Sequence, residues 1–221
     1  TREEQDNFSK TSLKRAIDAN NNGTFDWEIV PVEVKNRKGS IIVSKDEQPF
    51  KSNLDKISTL KPAFVKDGTV TAANSSSISD GASSVAVASK AFIESKGLSP
   101  LAKIIAHTTH SQEPKWFTTA PVGAIGKLLE KTNWTVDEVD LFEVNEAFSV
   151  VAMSAMKEIG ISHEKLNIHG GACALGHPVG ASGSRIVTTL IGALKKNNLK
   201  KGIASLCIGG GEAVAMAIEL C

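Results

Sequence analysis

Tyrosine is missing from the sequence altogether, and aromatic residues fill only 5% of its 221 positions. Nothing in the sequence accounts for the missing tyrosine. Cysteine is scarce: Cys173, Cys207 and Cys221 are an odd number without framework spacing, which excludes a disulfide-stapled scaffold and points to a reducing compartment. The sequons at Asn7, Asn22, Asn74 and Asn133 then carry no meaning. An excess of either charge is lacking too. The 25 Lys and Arg residues nearly cancel 24 Asp and Glu, and a net charge of +1 offers no broad footprint for nucleic acid. No apolar run approaches a membrane span and no signal peptide is visible, so neither nucleic acid nor membrane is an expected partner.

Two motifs resemble metal sites and fail on inspection. Asp18, Asn20, Asn22, Gly23 and Asp26 match the opening of a calcium loop, but the twelfth position is Ile29 where a bidentate Glu is needed. His169, Cys173 and His177 are spaced four apart, which aligns ligands only on a helix. Gly170, Gly171, Gly176 and Pro178 deny a helix there, so no metal is expected.

What is present reads as an ordinary globular chain, 41% hydrophobic and 22% charged, long enough for one large or two small domains. Thr1-Arg-Glu-Glu4 is a capping box opening a helix over residues 2–20, with Phe8, Leu13, Ala16 and Ile17 on one side. A chain that starts on Thr and directly on a cap is expected to continue something longer. Strand-like runs at 29–35 and 40–44 flank Arg37-Lys-Gly39 as a hairpin. Residues 45–62 are polar and irregular, a candidate lid. Residues 70–81, rich in hydroxyls, fit either a flexible linker or a backbone surface open to a ligand. Ala82 to Ala88 is a small apolar run, and Lys90–Lys96 ends a helix closed by Gly97. From residue 100 onward strands and helices alternate: strand 102–109, helix from Pro121, strand 139–144, helix 147–159, helix 181–196, and strands 202–208 and 213–218. That order predicts an α/β fold, a layered sheet covered by helices.

The most informative stretch runs from Asn167 to Arg185, where five glycines and one proline in nineteen residues exclude a helix through most of it. His177 sits on this loop just ahead of a helix N-terminus, a place that favours negative charge. Asn145-Glu-Ala-Phe148 and Cys207-Ile-Gly-Gly-Gly211 stand at the ends of predicted strands, where open α/β sheets place ligands. Ordinary readings compete: His177 as a polar loop residue, Asn145 as a helix N-cap, Cys207 as a small buried hydrophobe. Three glycines exceed what a two-residue turn needs, which favours backbone kept bare for a ligand. A thiol within reach of His177 is expected to have its pKa lowered and to act as nucleophile or base, which also admits a Cys–His hydrolase.

Asn145-Glu-Ala-Phe148, His169-Gly-Gly-Ala-Cys-Ala-Leu-Gly-His-Pro-Val-Gly-Ala-Ser-Gly183 and Cys207-Ile-Gly-Gly-Gly211 resemble the three C-terminal signatures of the thiolases. The likeness extends through Lys61-Pro-Ala-Phe64, Gly68-Thr-Val-Thr-Ala72 and Asn74-Ser-Ser-Ser-Ile-Ser-Asp-Gly81. It implies a layered fold of two related halves: residues 1–77 ending a loop excursion, 78–99 closing the N-terminal half, and 100–221 forming the C-terminal half. The Ala82–Ala88 run would then be a strand deprived of its sheet.

The implied chemistry is a reversible Claisen condensation that makes or cleaves acetoacetyl-CoA. His177 would activate a nucleophilic thiolate and help hold the thioester oxygen, and Asn145 would fix the water completing that oxyanion hole. Cys207 would be the acid/base cysteine and Gly209 N–H part of a second oxyanion hole. Ser76, Ala147, Phe148 and Phe117 would line the path of the CoA arm. The resemblance implies no resident cofactor, acyl-CoA as substrate, a homo-oligomer (dimer or tetramer), and the cytoplasm or the mitochondrion. The family's nucleophilic cysteine precedes these signatures and no cysteine here replaces it, so the chain alone is expected not to turn over. The alternative is a non-catalytic CoA-binding or assembly fragment. A ketoacyl synthase fits less well, because that family has a histidine where Cys207 stands.

Overall fold

The computed structural model describes residues 1–37 and 39–221; Lys38, at the tip of the expected hairpin, lies outside the described residues. Helix α1 (Arg2–Asn21) begins at the expected capping box, with the Thr1 side chain accepting from Glu4 N–H and Glu4 reaching back to the cap. It buries Phe8, Leu13 and Ala16 as expected, but also Gln5, Asp6, Ser9, Ser12 and Asn20. Buried polar groups need partners. Gln5 Nε2, Asp6 and Ser12 find theirs in Thr69, Asn74 and Glu146 of the loops α1 packs against, while Ser9 and Asn20 donate to Gln5 O and Ala16 O of the helix itself.

Strands β1 (Val32–Asn36) and β2 (Gly39–Val43) pair antiparallel with Val34 opposite Ile41, a hairpin that buries neither face. The segment read as irregular contains a short helix α2 (Gln48–Lys51) and a 3₁₀ turn at Leu54–Thr59, started by Pro49 and an Asn53 cap respectively. Residues 70–81 are no linker. Asn74 is fully buried; its Oδ1 accepts from Thr71 N–H, and its Nδ2 donates to Asp6 and to Thr69 O. Ser149 N–H in turn donates to Asn74 O. Residues 81–88 run without strand pairing, with Val85 and Val87 exposed, before helix α3 (Lys90–Lys96) closes on Gly97 at φ 60°.

The remaining elements are β3 (Ala102–Ser111), α4 (Ala120–Thr132), β4 (Leu141–Val144), α5 (Ser149–Ile159), α6 (Ala172–Leu175), α7 (Ser182–Lys196), β5 (Lys201–Ile208) and β6 (Glu212–Leu220). The sheet order is β3-β6-β5-β4, with β4 parallel to β5 and the other pairs antiparallel. Strand alternation sorts the core into two layers. Phe142, Val144 and Ile203 face α4 and α5, whose Ile125, Leu128, Val151 and Ala155 meet them. Leu141 and Ala204 face the other way, onto Ile186, Leu190 and Leu194 of α7. This is the mixed, helix-covered α/β sheet expected from the sequence. Helix α6 was not expected: one turn fits between Gly171 and Gly176 because Ala172, Cys173, Ala174 and Leu175 contain neither glycine nor proline. Among the described residues no helix is long and apolar enough to cross a membrane.

Candidate active site

Two adjacent parallel strands bring the first pieces together. Val144 lies opposite Ser205, and Asn145 N–H donates to Ser205 O as the chain leaves β4. Asn145 therefore emerges at the end of the sheet where β5 runs out through Cys207 and Ile208. His177 reaches the same place from the loop between α6 and α7. Its N–H donates to Ser77 O at 2.9 Å, and Ile78 bridges to it, so the 70–81 segment holds the histidine loop from below. The imidazole Nε2 is 3.4 Å from Asn145 Nδ2, and Nδ1 is 2.6 Å from Ser182 Oγ. Asn145 Oδ1 is buried without a protein partner among the described residues.

The glycines divide into two kinds. A side chain at Gly176 (φ 94°) would strike Ser79, and one at Gly171 would strike the Glu146 carboxyl, so these positions serve close packing. A side chain at Gly209 would meet nothing within 4 Å. Gly209 thus borders open space, as expected for backbone left accessible.

Ser76 and Ala147 are bound together: Ser76 N–H and Oγ–H both donate to Ala147 O, at 3.0 and 2.9 Å. Beside them Phe148 stands edge-on to Phe117 on one side and Phe64 on the other, with centroids 6.2 and 6.3 Å away. The four residues expected along a CoA path therefore form one wall. Phe64, whose role the sequence left unassigned, extends it and is 72% exposed.

Behind the site lies a buried carboxyl network. Glu146 is fully buried and accepts from Ser12 Oγ–H (2.7 Å), Asn167 Nδ2–H (2.9 Å) and Cys173 N–H (3.2 Å). Asn167 also brackets Val144 through N–H and C=O. Ser12, Asn167 and Glu146 were not legible as site residues, because their bonds join positions 21 to 134 residues apart and leave no local pattern.

The electrostatics correct one expectation. Burial pushes the Cys207 thiol up to about 11, against a weaker pull from a backbone hydrogen bond. The lowered pKa expected of a thiol near an imidazole is not found, because β5 carries Cys207 into the core. Burial, then the positive charge of Arg185, lowers the His177 pKa, which favours the neutral ring. At rest Cys207 is a protonated thiol and His177 is favoured as a neutral base. With a pKa of about 11, only about one Cys207 in 10⁴ is thiolate at pH 7. Iodoacetamide should therefore modify the exposed Cys221 well before Cys207, and the Cys207 rate should still be rising at pH 10. Rapid, pH-independent labelling of Cys207 at pH 7 would contradict this. Cys173 is buried, with its sulfur 3.6 Å from Glu146 O, and burial raises its pKa as well. Among the described residues no group of three His, Cys, Asp or Glu side chains could hold a metal ion.

Comparison with known proteins gives a consistent result. Residues 98–220 match the family described as "Thiolase, C-terminal domain", and residues 1–91 match "Thiolase, N-terminal domain". The chain is 49% identical over 220 residues to a protein of Dictyostelium discoideum named probable acetyl-CoA acetyltransferase, covering 99% of this chain and 53% of that protein. It is 46% identical over 222 residues to the cytosolic acetyl-CoA acetyltransferase of Rattus norvegicus, covering 99% and 56%. Among solved structures, the Bacillus anthracis acetyl-CoA acetyltransferase superposes with a TM-score of 0.95 at 42% identity, over 100% of this chain and 56% of that one. The Acat5 thiolase of Ascaris suum, solved in complex with coenzyme A, gives 0.90 at 38% identity, over 100% and 56%. The chain spans about half the length of the curated relatives it matches.

Proposed function

Because the chain belongs to the thiolase family, we propose that it supplies the imidazole and acid/base thiol of an acetyl-CoA acetyltransferase, which makes or cleaves acetoacetyl-CoA. The observation that carries this reading is the convergence of His177 and Asn145 at the end of the sheet where β5 delivers Cys207. A second protein segment, or a longer form of this chain, contributes the cysteine that carries the acyl group. In the first half-reaction, neutral His177 takes that cysteine's proton, and the thiolate attacks acetyl-CoA. The C–S bond to CoA breaks, and the Cys207 thiol protonates the departing CoA sulfur. In the second half-reaction, the Cys207 thiolate so formed removes an α-proton from another acetyl-CoA. The enolate attacks the acyl-enzyme carbonyl, the new C–C bond forms, and the released cysteine thiolate takes back the proton from His177. The raised thiol pKa makes the Cys207 thiolate, once formed, a strong base for the α-proton. Oxygen charge developing in both steps falls to donors at Asn145, His177 and Gly209 N–H.

In this reading residues 1–77 end a loop excursion, 78–99 close an N-terminal half and 100–221 form the C-terminal half. Ser76, Ala147, Phe148 and Phe117 line the CoA arm. No cofactor beyond CoA thioester substrates is invoked. A cytosolic setting follows the name of the rat relative, and a homo-oligomeric complete protein belongs to the same proposal. The exposed, unpaired 81–88 stretch favours a second reading, a CoA-binding or assembly fragment without turnover.

One experiment separates them. The 221-residue chain alone should cleave no acetoacetyl-CoA, since neither Cys173 nor Cys221 is placed to replace the acyl carrier. Completed with a thiolase N-terminal segment containing the acyl-carrying cysteine, it should regain thiolysis that His177→Ala removes. A folded complex that binds CoA without turnover supports the assembly reading instead, and thiolysis by the chain alone overturns the assignment of roles.

A further inference from the structure

Ser182, in the first turn of α7, has no exposed surface, and its hydroxyl sits between two groups. Its Oγ is 3.1 Å from Pro178 O, to which it donates, and 2.6 Å from His177 Nδ1. A serine hydroxyl has one proton and two lone pairs. Directed to Pro178 O, which can only accept, the proton leaves Ser182 two lone pairs. Toward the ring Ser182 must then accept, which requires the hydrogen on Nδ1. A neutral imidazole has one N–H, so Nε2 is left with its lone pair, facing Asn145 Nδ2–H at 3.4 Å. From this single-proton argument we propose that Ser182 is a positioning residue that locks His177 in the Nδ1–H tautomer and so keeps Nε2 free as the basic atom.

Three features support the lock. Pro178, immediately after His177, has no N–H and a fixed φ, so its carbonyl is a rigid acceptor. Ser182 and Pro178 are joined twice, since Ser182 N–H also donates to Pro178 O at 2.9 Å. The histidine's own N–H is tied to Ser77 O, which holds the ring's attachment point while Ser182 sets its rotation. The spacing has a sequence counterpart: a hydroxyl five residues after a histidine, across a Pro-x-Gly-Ala turn, reaches back to Nδ1. The inference rests on the proposed function only for what the free Nε2 does. The tautomer itself is a property of this chain and is tested without turnover.

The test is ¹⁵N NMR of the 221-residue chain labelled on histidine, at pH 8, with His177 assigned by loss of its signals in His177→Gln. In the unmodified chain the long-range ¹H–¹⁵N pattern should show Nδ1 protonated and Nε2 unprotonated. In Ser182→Ala the Nδ1 partner is gone, and the pattern should move to Nε2–H or to an average of the two forms, because the partner of one nitrogen decides which carries the proton. The signals of His107, His110, His163 and His169 should stay in place, which separates loss of the lock from loss of fold. An Nε2–H pattern in the unmodified chain overturns the proposal. So does an unchanged Nδ1–H pattern in folded Ser182→Ala. Should Ser182→Ala not fold, the unmodified chain decides by itself.

Discussion

Replacing Asn145 by alanine in the completed enzyme is expected to lower turnover roughly 10²–10³-fold, the usual loss when one donor to a developing oxyanion is removed. Asn145 is 1% exposed and has two working ends. Its Nδ2–H faces His177 Nε2, while Oδ1 is buried with no protein partner among the described residues and so is available to fix a water. Alanine removes both at once. The backbone bond from Asn145 N–H to Ser205 O survives the substitution, so the end of the sheet should hold. Steady-state thiolysis of acetoacetyl-CoA measures this: kcat should carry the loss, with KM changed by much less. A fall of under tenfold would remove Asn145 from the chemistry and leave it a strand-end cap.

The second large effect is on stability. Glu146→Ala removes an acceptor shared by Ser12 Oγ–H, Asn167 Nδ2–H and Cys173 N–H, all inside the protein. Each buried donor left without a partner costs about 1–3 kcal/mol, so a loss of roughly 3–6 kcal/mol is expected. For a chain of this size each kcal/mol moves the melting temperature by roughly 2–4 °C, and the midpoint should fall by about 6 °C or more. Burial pushes the Glu146 pKa up while the three donors pull it down, so the carboxyl is held in place by its bonds rather than by solvation. Glu146→Gln keeps an acceptor oxygen but turns an amide NH₂ toward donors, and should be milder. Thermal unfolding followed by circular dichroism tests both, and a midpoint within 2 °C of the unmodified chain for Glu146→Ala would refute the network's role.

Local chemistry made much of the fold readable. The end of helix α3 was legible, because Gly97 closes it in the left-handed region; its start, capped by Ser89, was not. The hairpin and the alternating elements after residue 100 followed from strand periodicity and turn residues, with boundaries shifted by up to three positions. The one-turn helix α6 was hidden because glycines dominate the surrounding composition. Of the residues that motifs mark, His177 and Asn145 meet in the structure. Site residues were invisible where packing across the chain creates them. Ser12 meets Glu146 from the first helix, and Phe64 completes the Phe117–Phe148 wall from an irregular stretch. The same limit explains Cys207. The expectation of an imidazole within reach argued for an acidic thiol, but depth in the core, a property of the whole sheet, sets the opposite direction.

The bond from His177 N–H to Ser77 O joins positions one hundred residues apart. Closing so long a loop is entropically costly and slow compared with forming α7 or pairing β5 with β6. The order of events follows: α7 and the β5–β6 pair form before the imidazole has its seat, while β3, whose pairing with β6 spans a comparable separation, joins the sheet no earlier. Competence is thus acquired late, and a chain caught midway carries the reactive groups but not their alignment.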